Sequence, residues 1–498
     1  WIIWSLFVLV AAVRLFLAFS DDALAYDGYE MVRRIEHVQE SGVPLYSDQL
    51  SFGGRARLFS PLYDYVMAFF GLFMPTVFLL KLLPNLFAAS IVFPAFRLIS
   101  LFTKKRFAAI IGAGMTGLVP AALQVGVNDG SVLSMALPVM LFSIYLFLRS
   151  RKADRQMQWL LMALAILALL GPISIVLLLS LLVYLFLGKV LGVKSHPKET
   201  EVTLSYLFFS AWFFLVIYKR ALVVHGPLVV WQNIPSMALG NVFSQVSLLS
   251  VLASVGVVTV VLGAFALYIG LSTTKRKSLV LLSSVVGVSL ILLWLRLLPL
   301  REGLAILAIM LAVLSGYSLE NFYEYMVKLK ASSLASAGIV VIVVIFLFTS
   351  ASAAFFTPSS SASAAQVEVV SWAREGIDKD AVIMAPPVQG DMIAALSDKR
   401  VVIDDDYLLI PRVHERYSDV LSLYRAVFTT EAIDLMQKYG ATHVLFSSQS
   451  IAFSGIDYPR FLHKSDCFRL VKSATDEQGV LVQLFERTCS LRGDDDNA

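Results

Sequence analysis

The run Leu15-Phe16-Leu17-Ala18-Phe19-Ser20-Asp21-Asp22 ends the first apolar stretch, Trp1 to Ser20, and opens a polar segment that lasts from Asp21 to Ser60. A helix crosses a bilayer with about 20 apolar residues, so Trp1 to Ser20 is long enough. It carries no small-residue cleavage site and no mature soluble domain follows it, so it is expected to remain as a spanning helix. Two carboxylates at the end of such a helix either mark the water boundary or form a functional site at the membrane surface. The choice depends on what else the chain brings to that surface.

Apolar stretches of similar length recur as far as Phe356. They lie near Leu83 to Phe102, Phe107 to Leu123, Ser131 to Arg149, Gln158 to Leu170, Ile173 to Phe186, Thr203 to Tyr218, Leu248 to Leu271, Leu279 to Leu297, Gly303 to Leu319 and Leu334 to Phe356. With the first stretch they predict eleven spanning helices. Composition agrees: of 498 residues 58% are hydrophobic and only 15% charged, with a mean hydropathy of +0.76, the profile of a polytopic membrane protein. The net charge of +4 comes from Lys and Arg dispersed between apolar segments, which gives no basic face for a nucleic acid.

Pro61 to Thr76 is the ambiguous segment, because a crossing there inverts everything after it. Short loops rich in Lys and Arg stay cytoplasmic. If Pro61 to Thr76 is re-entrant or lies on the surface, Lys104-Lys105-Arg106, Arg149 to Arg155, Lys189 to Lys198, Lys275-Arg276-Lys277 and Lys328 to Lys330 all share one side. The opposite side then carries Asp21 to Ser60, the turn at Asp129, the loop from Lys219 to Gln245, the turn with Arg296 and Arg301, and everything after Phe356.

Thr357 to Ala365, a run of Ser and Ala with one Pro, reads as a linker. The composition changes beyond it. Short apolar runs at Val382 to Met384, Val401 to Ile403 and Val444 to Phe446 alternate with helical patterns at Val367 to Glu375, Tyr417 to Val427 and Glu431 to Tyr439, which predicts a small α/β domain. The division is a membrane domain 1–356 with a first outer loop 21–60, a linker 357–365 and a soluble extracytoplasmic domain 366–498. Cys467 and Cys489, the two cysteines of the chain, bracket two expected strands, Phe468 to Val471 and Val480 to Phe485. A disulfide there needs an oxidising compartment; two unpaired buried thiols are the alternative, since spacing alone does not establish bond geometry.

Tyr29 to Gln39 places Met31, Ile35 and Val38 on one helical face, as an interfacial amphipathic helix does. It would hold Asp21, Asp22 and Asp27 near the membrane. Arg55 and Arg57 follow Gly53-Gly54 and suit either lipid head groups or a bound phosphate. Asp129, in Val127-Asn128-Asp129-Gly130, suits a hydrophilic turn, but the topology puts it on the same surface as Asp21 and Asp22. Such carboxylates can bind a hard divalent cation or leave one free as a general base. Arg296 and Arg301 face the same side, where paired N–H donors hold phosphate; snorkelling to the interface is their other use. Asp404-Asp405-Asp406 reads as a solvated turn.

This order of features resembles the GT-C superfamily of integral membrane glycosyltransferases. It comprises an acidic site after the first helix, a long first loop closing on Phe59-Ser60-Pro61-Leu62-Tyr63, a second acidic turn and a C-terminal α/β domain. Val119-Pro120 leading to Asn128-Asp129, and the stretch Val382 to Tyr407, are similar to the catalytic subunit of oligosaccharyltransferase. Asp21-Asp22 and the Pro-Leu-Tyr run are similar to the protein O-mannosyltransferase and aminoarabinose-transferase branch. Oligosaccharyltransferases carry Trp-Trp-Asp-Tyr-Gly where this chain has Ala385-Pro386-Pro387-Val388-Gln389-Gly390, and their late-loop Glu has no counterpart in Trp231 to Gln245.

The resemblance therefore implies transfer of a sugar from a polyprenyl-phosphate or dolichol-type carrier to a protein, lipid or glycan acceptor at the outer face of a plasma membrane or endoplasmic-reticulum equivalent. Transfer of a lipid-pyrophosphate-linked glycan to protein Asn is the alternative. Asp22 or Asp21 would be the catalytic carboxylate, with Arg296, Arg301 and Arg55 on the donor phosphate. Asp22 and Asp129 would share Mg2+ or Mn2+ if the donor is a pyrophosphate, whereas a monophosphate donor implies no metal. A transporter or flippase is the competing class, but the acidic residues sit at helix ends and no inverted repeat is evident.

Overall fold

The computed structural model describes residues 1–51, 53–149, 154–193, 196–239, 247–274, 276–356, 361–463, 466–475, 479 and 481–491. Arg151, Lys152, Lys194 and Lys275 of the basic clusters, the start of the linker (357–360) and the end of the late loop (240–246) lie outside these residues.

Every expected apolar stretch falls on helix. Among the described residues seven helices are long and apolar enough to cross a membrane, including Ile2–Ser20, Ile173–Val190, Pro197–His225, Lys277–Trp294 and Leu300–Lys328. The stretch expected from Leu83 begins earlier, at Thr76, and runs to Ile99. Leu248–Val255 and Val257–Ser272 form a pair bent by 83°. The bend falls at Gly256, whose φ of +85° is a conformation that side-chain-bearing residues avoid. Arg106–Leu118, Leu133–Arg149 and Arg155–Leu170 are apolar but shorter, so by length the described residues give seven spans, or eight with the bent pair as one, against the eleven expected. Leu300–Lys328 is the central post: residues Gly303 to Glu320 are all buried, packed by Arg106–Leu118, Lys277–Trp294 and Val257–Ile269. At its far end Glu320 accepts from the backbone N–H groups of Lys104 and Lys105 at 2.7 and 3.0 Å, supplying an anion to the start of the Arg106 helix.

The ambiguous segment contains a ten-residue helix, Leu62–Gly71. At about 1.5 Å per residue this gives roughly 15 Å, half a bilayer core. The first loop also holds the helix Tyr26–Ser41, closed by Gly42 at φ +75°. Its face Met31, Val32, Ile35 and Val38 is buried, but against protein. It packs on Leu62–Gly71 and on Gly390–Ser397, so the apolar stripe expected to meet lipid is covered by a second helix and by the C-terminal domain. Two short strands, β1 (Ser47–Asp48) and β2 (Arg55–Ala56), pair antiparallel in the same loop.

The C-terminal domain is a five-stranded mixed sheet. Strands β3 (Val382–Met384), β4 (Arg400–Val401), β5 (His443–Phe446), β6 (Phe468–Thr475) and β7 (Leu481–Arg487) lie in the order β4-β3-β5-β7-β6, the first three parallel and the last two antiparallel. Cys467 and Cys489 are joined at the open end of the β6–β7 hairpin, with Cα atoms 4.9 Å apart. The first loop extends the sheet edge: the Val401 N–H donates to the Leu50 carbonyl at 2.9 Å. The described part of the expected linker is also fixed. The Ala362 N–H donates to the Leu24 carbonyl at 3.0 Å, and Ser363 and Gln366 form a reciprocal cap on Ala364–Gly376.

Candidate active site

The first loop, the second acidic turn and the C-terminal domain meet at one end of the helix bundle, through backbone contacts first. The Ala25 N–H donates to the Asn128 carbonyl at 3.0 Å. A Cβ placed on Gly28 would stand 2.6 Å from that same oxygen and 3.6 Å from Asp129 Cα. Only glycine fits so close an approach. Asp27-Gly28 is thereby laid directly over Asn128-Asp129, a juxtaposition of two segments a hundred residues apart that local periodicity does not encode. An isolated Gly inside a helical pattern weakens the helix and so points to a packing reason, and Tyr26-Asp27-Gly28-Tyr29 contains one.

Asp129 is held on both oxygens. Oδ1 accepts from the Ser131 N–H at 3.0 Å, the Asx turn that Asn-Asp-Gly-Ser favours, and Oδ2 meets Arg301 Nη1 at 2.8 Å. Arg301 also donates to the Gln124 carbonyl, yet its side chain stays 41% exposed, and a guanidinium has five N–H donors to distribute. Asp27 is exposed, yet the protein packed around it desolvates its carboxyl and raises the pKa to about 6, with Asp129 adding to the rise and Arg301 opposing it; the exposure screens part of this effect. Its place in the first turn of a helix favours the anion, so burial and the neighbouring carboxylate outweigh the helix dipole. Glu302 and Asp405 also interact electrostatically with this group, Glu302 from the start of the Leu300 helix and Asp405 from the C-terminal domain. Burial, followed by the charge on Asp27, pushes the Asp405 carboxyl well above the usual carboxylate range.

Asp21 and Asp22 are placed differently. Asp21 Oδ2 accepts from Ser361 Oγ at 2.8 Å, and the backbone carbonyls of both residues accept from Lys81 Nζ, that of Asp22 at 3.0 Å. Asp22 is exposed. Asp21 Oδ2 also lies 3.4 Å from the Asn128 side-chain amide, and Asp27 is the first-loop carboxylate whose neighbour Gly28 is laid on the Asn128-Asp129 backbone. Arg296 stands exposed in the turn before the Leu300 helix, with a left-handed φ of +57°.

Arg55 is drawn away from solvent. Its side chain is fully buried, with Nη2 2.7 Å from Asp404. Arg57, equally buried, meets Asp391 at 2.5 Å, Glu30 at 2.9 Å and Asp48 at 3.0 Å. Arg33 adds a 2.6 Å contact to Asp48. Burial works against ionised Asp48, but Arg33 and Arg57 hold its carboxyl well below the usual range. Asp404 is 1% exposed, so the expected solvated turn is at its first residue a buried anchor. Burial raises the Asp404 carboxyl to about 7, and Arg55 opposes that rise. This network joins first loop to C-terminal domain and carries Asp405 toward Asp27.

Among the described residues no group of three or more His, Cys, Asp or Glu is arranged to hold a metal ion by itself. Two carboxylates with substrate phosphates are nevertheless a common environment for Mg2+, and Asp27 and Asp129 fit that partial set.

No family model and no curated protein matches the sequence. Solved structures match its fold. The Archaeoglobus fulgidus oligosaccharyltransferase in complex with zinc and sulfate aligns with a TM-score of 0.66 at 12% identity, over 96% of this chain and 72% of the other. The same archaeal enzyme, AglB, with an inhibitory peptide and a dolichol-phosphate aligns at 0.68 and 12% identity, over 97% and 74%. ArnT from Cupriavidus metallidurans bound to undecaprenyl phosphate aligns at 0.56 and 13% identity, over 96% and 97%. The chain shares the fold of these proteins: a helical membrane domain with a C-terminal sheet domain.

Proposed function

We propose that this chain is a membrane glycosyltransferase that moves a sugar from a polyprenyl-phosphate-linked donor to an acceptor at the extracytoplasmic face. The observation that carries this reading is the apposition of Asp27-Gly28 on Asn128-Asp129, with Arg301 on Asp129, in a fold whose solved examples hold polyprenyl phosphates. The side of the membrane is inferred from the basic clusters of the opposite loops and from the Cys467–Cys489 disulfide, which needs an oxidising compartment.

In this reading Asp27 accepts the proton of the acceptor group. As that group's oxygen or nitrogen bonds to the anomeric carbon, the bond from this carbon to the donor phosphate oxygen breaks, and its electron pair leaves with the phosphate. A carboxyl poised near pH 6 is ionised at neutral pH and retains useful basicity. Arg301, exposed and with donors to spare, faces the charge that gathers on the leaving phosphate. A hard divalent cation held by Asp27 and Asp129 would supply further neutralisation of a pyrophosphate.

A second reading, transfer of a glycan from a lipid pyrophosphate to protein Asn, is favoured by one observation: Asp129 adjoins a first-loop carboxylate, as a cation shared on a pyrophosphate requires. Protein in nanodiscs, given labelled polyprenyl-phosphate or polyprenyl-pyrophosphate sugars with and without a chelator, separates the two. Chelator-insensitive transfer from the monophosphate supports the first reading. Chelator-sensitive transfer from the pyrophosphate alone replaces it with the second, and transfer from neither donor rejects both.

A further inference from the structure

Arg14 lies inside the first helix, Ile2–Ser20, six residues before its end, or about 9 Å along the axis. Its side chain is 1% exposed. A charged residue inside a spanning helix is costly and is retained where it has a task, and none of the roles above uses it. Its partners define that task. Nη1 donates to the Ala122 carbonyl at 2.7 Å, Nη2 to the Val125 carbonyl, and Nε to Asn85 Oδ1 at 3.2 Å. Asn85 in turn donates through Nδ2 to the Val127 carbonyl at 2.9 Å and to the Lys81 carbonyl at 2.8 Å. Ala122 lies in the last turn of the Pro120–Gln124 helix and Val125 and Val127 lie beyond it, so these carbonyls have no helical partner of their own. Oriented with its nitrogen toward the first helix, the Asn128 amide donates to the Ala18 and Val127 carbonyls at 3.0 Å each. The charge that Arg14 senses across this segment is Asp129.

We infer that Arg14, acting with Asn85, is a positioning residue that fixes the Val125-to-Asp129 segment, and so sets the distance of Asp129 from Asp27. The guanidinium binds three acceptors in one plane, which an ammonium cannot do. Gly126, at φ +77° and with its Cβ position 3.7 Å from Arg14 Nη2, lets the backbone curl around it. This inference rests on the glycosyltransferase reading for its functional consequence, but its structural content stands apart from it.

The test uses Arg14→Met, which keeps the length and removes the donors, Arg14→Lys, which restores one charge, and Asn85→Leu. Hydrogen exchange across residues 122–131 in nanodiscs should rise in Arg14→Met and Asn85→Leu and fall back partway in Arg14→Lys. Transfer should lose about a hundredfold in kcat in Arg14→Met, the cost of a misplacement near 1 Å, with donor KM within a few-fold of wild type and partial rescue in Arg14→Lys. Unchanged exchange in both apolar variants, or a wild-type kcat in an inserted Arg14→Met protein, overturns the inference. If Arg14→Met fails to insert, Asn85→Leu carries the same two readouts. A wild-type protein without transfer activity defeats the functional reading alone, and exchange then decides the positioning role.

Discussion

Gly28 meets the backbone of Asn128 so closely that the smallest side chain would stand 2.6 Å from the Asn128 carbonyl oxygen. The obstructing atom belongs to a backbone fixed by the Ala25 hydrogen bond and by the turn at Asp129, so it cannot swing aside. Gly28→Ala should therefore separate the two acidic segments. The expected cost in stability is about 1–3 kcal/mol, with a larger proportional loss of transfer. Paired measurements of thermal unfolding and turnover check this, and a Gly28→Ala protein as active as wild type would show the apposition to be looser than described.

Asp27 predicts opposite signs for activity and stability. Its folded pKa of about 6 lies above the ordinary carboxylate value. Transfer should therefore fall as pH drops through 6, because the base is protonated. Stability moves the other way: folded protein binds a proton that the unfolded chain releases, so Asp27's unfavourable contribution is present above pH 6 and is relieved as pH falls from about 6 to about 4. Asp27→Asn should abolish transfer and raise the melting temperature, as measured by a pH series of turnover and calorimetry.

Asp48 has the contrary sign. Its carboxyl is held below the usual range by Arg33 and Arg57, so its stabilising contribution is complete above about pH 4 and is lost as pH falls further. Acid exposure below that point should loosen the first loop from the C-terminal domain, detected as protease sensitivity in the segment 42–58.

Arg57 is the hub of that junction. Arg57→Met leaves Asp391 and Asp48 short of a buried partner and should cost about 3–5 kcal/mol. The double variant Arg57→Met with Asp391→Leu removes one stranded charge with its partner and should recover part of the loss. Denaturant unfolding of wild type, Arg57→Met, Asp391→Leu and the double variant measures the coupling, and additive losses would contradict it.

The alternation of apolar spans and basic loops was legible in the sequence because each depends on neighbours within about twenty residues. The α/β pattern after Phe356 and the hairpin bracketed by Cys467 and Cys489 were legible for the same reason. The apposition at the acidic turn was not. Asp21-Asp22 stands out as a pair, whereas Asp27-Gly28 and Asn128-Asp129 lie far apart in the chain, and only the fold brings those two together. Arg55 reads as a phosphate ligand and Asp404 as part of a solvated turn, and the fold pairs them across a sequence separation of 349 residues. The helix at Tyr26 has the amphipathic pattern of a lipid-facing segment, and the pattern is real, but its partner is protein. Periodicity reports that a face is buried and leaves open by what.

The most direct test of the Asp27–Asp129 site is single-turnover release of the polyprenyl phosphate carrier from a labelled donor, comparing wild type, Asp27→Asn, and the double variant Asp21→Asn with Asp22→Asn. Release by wild type and by the double variant, with none from Asp27→Asn, is the predicted result. Release that survives in Asp27→Asn and disappears in the Asp21, Asp22 double variant would return the catalytic role to the end of the first helix.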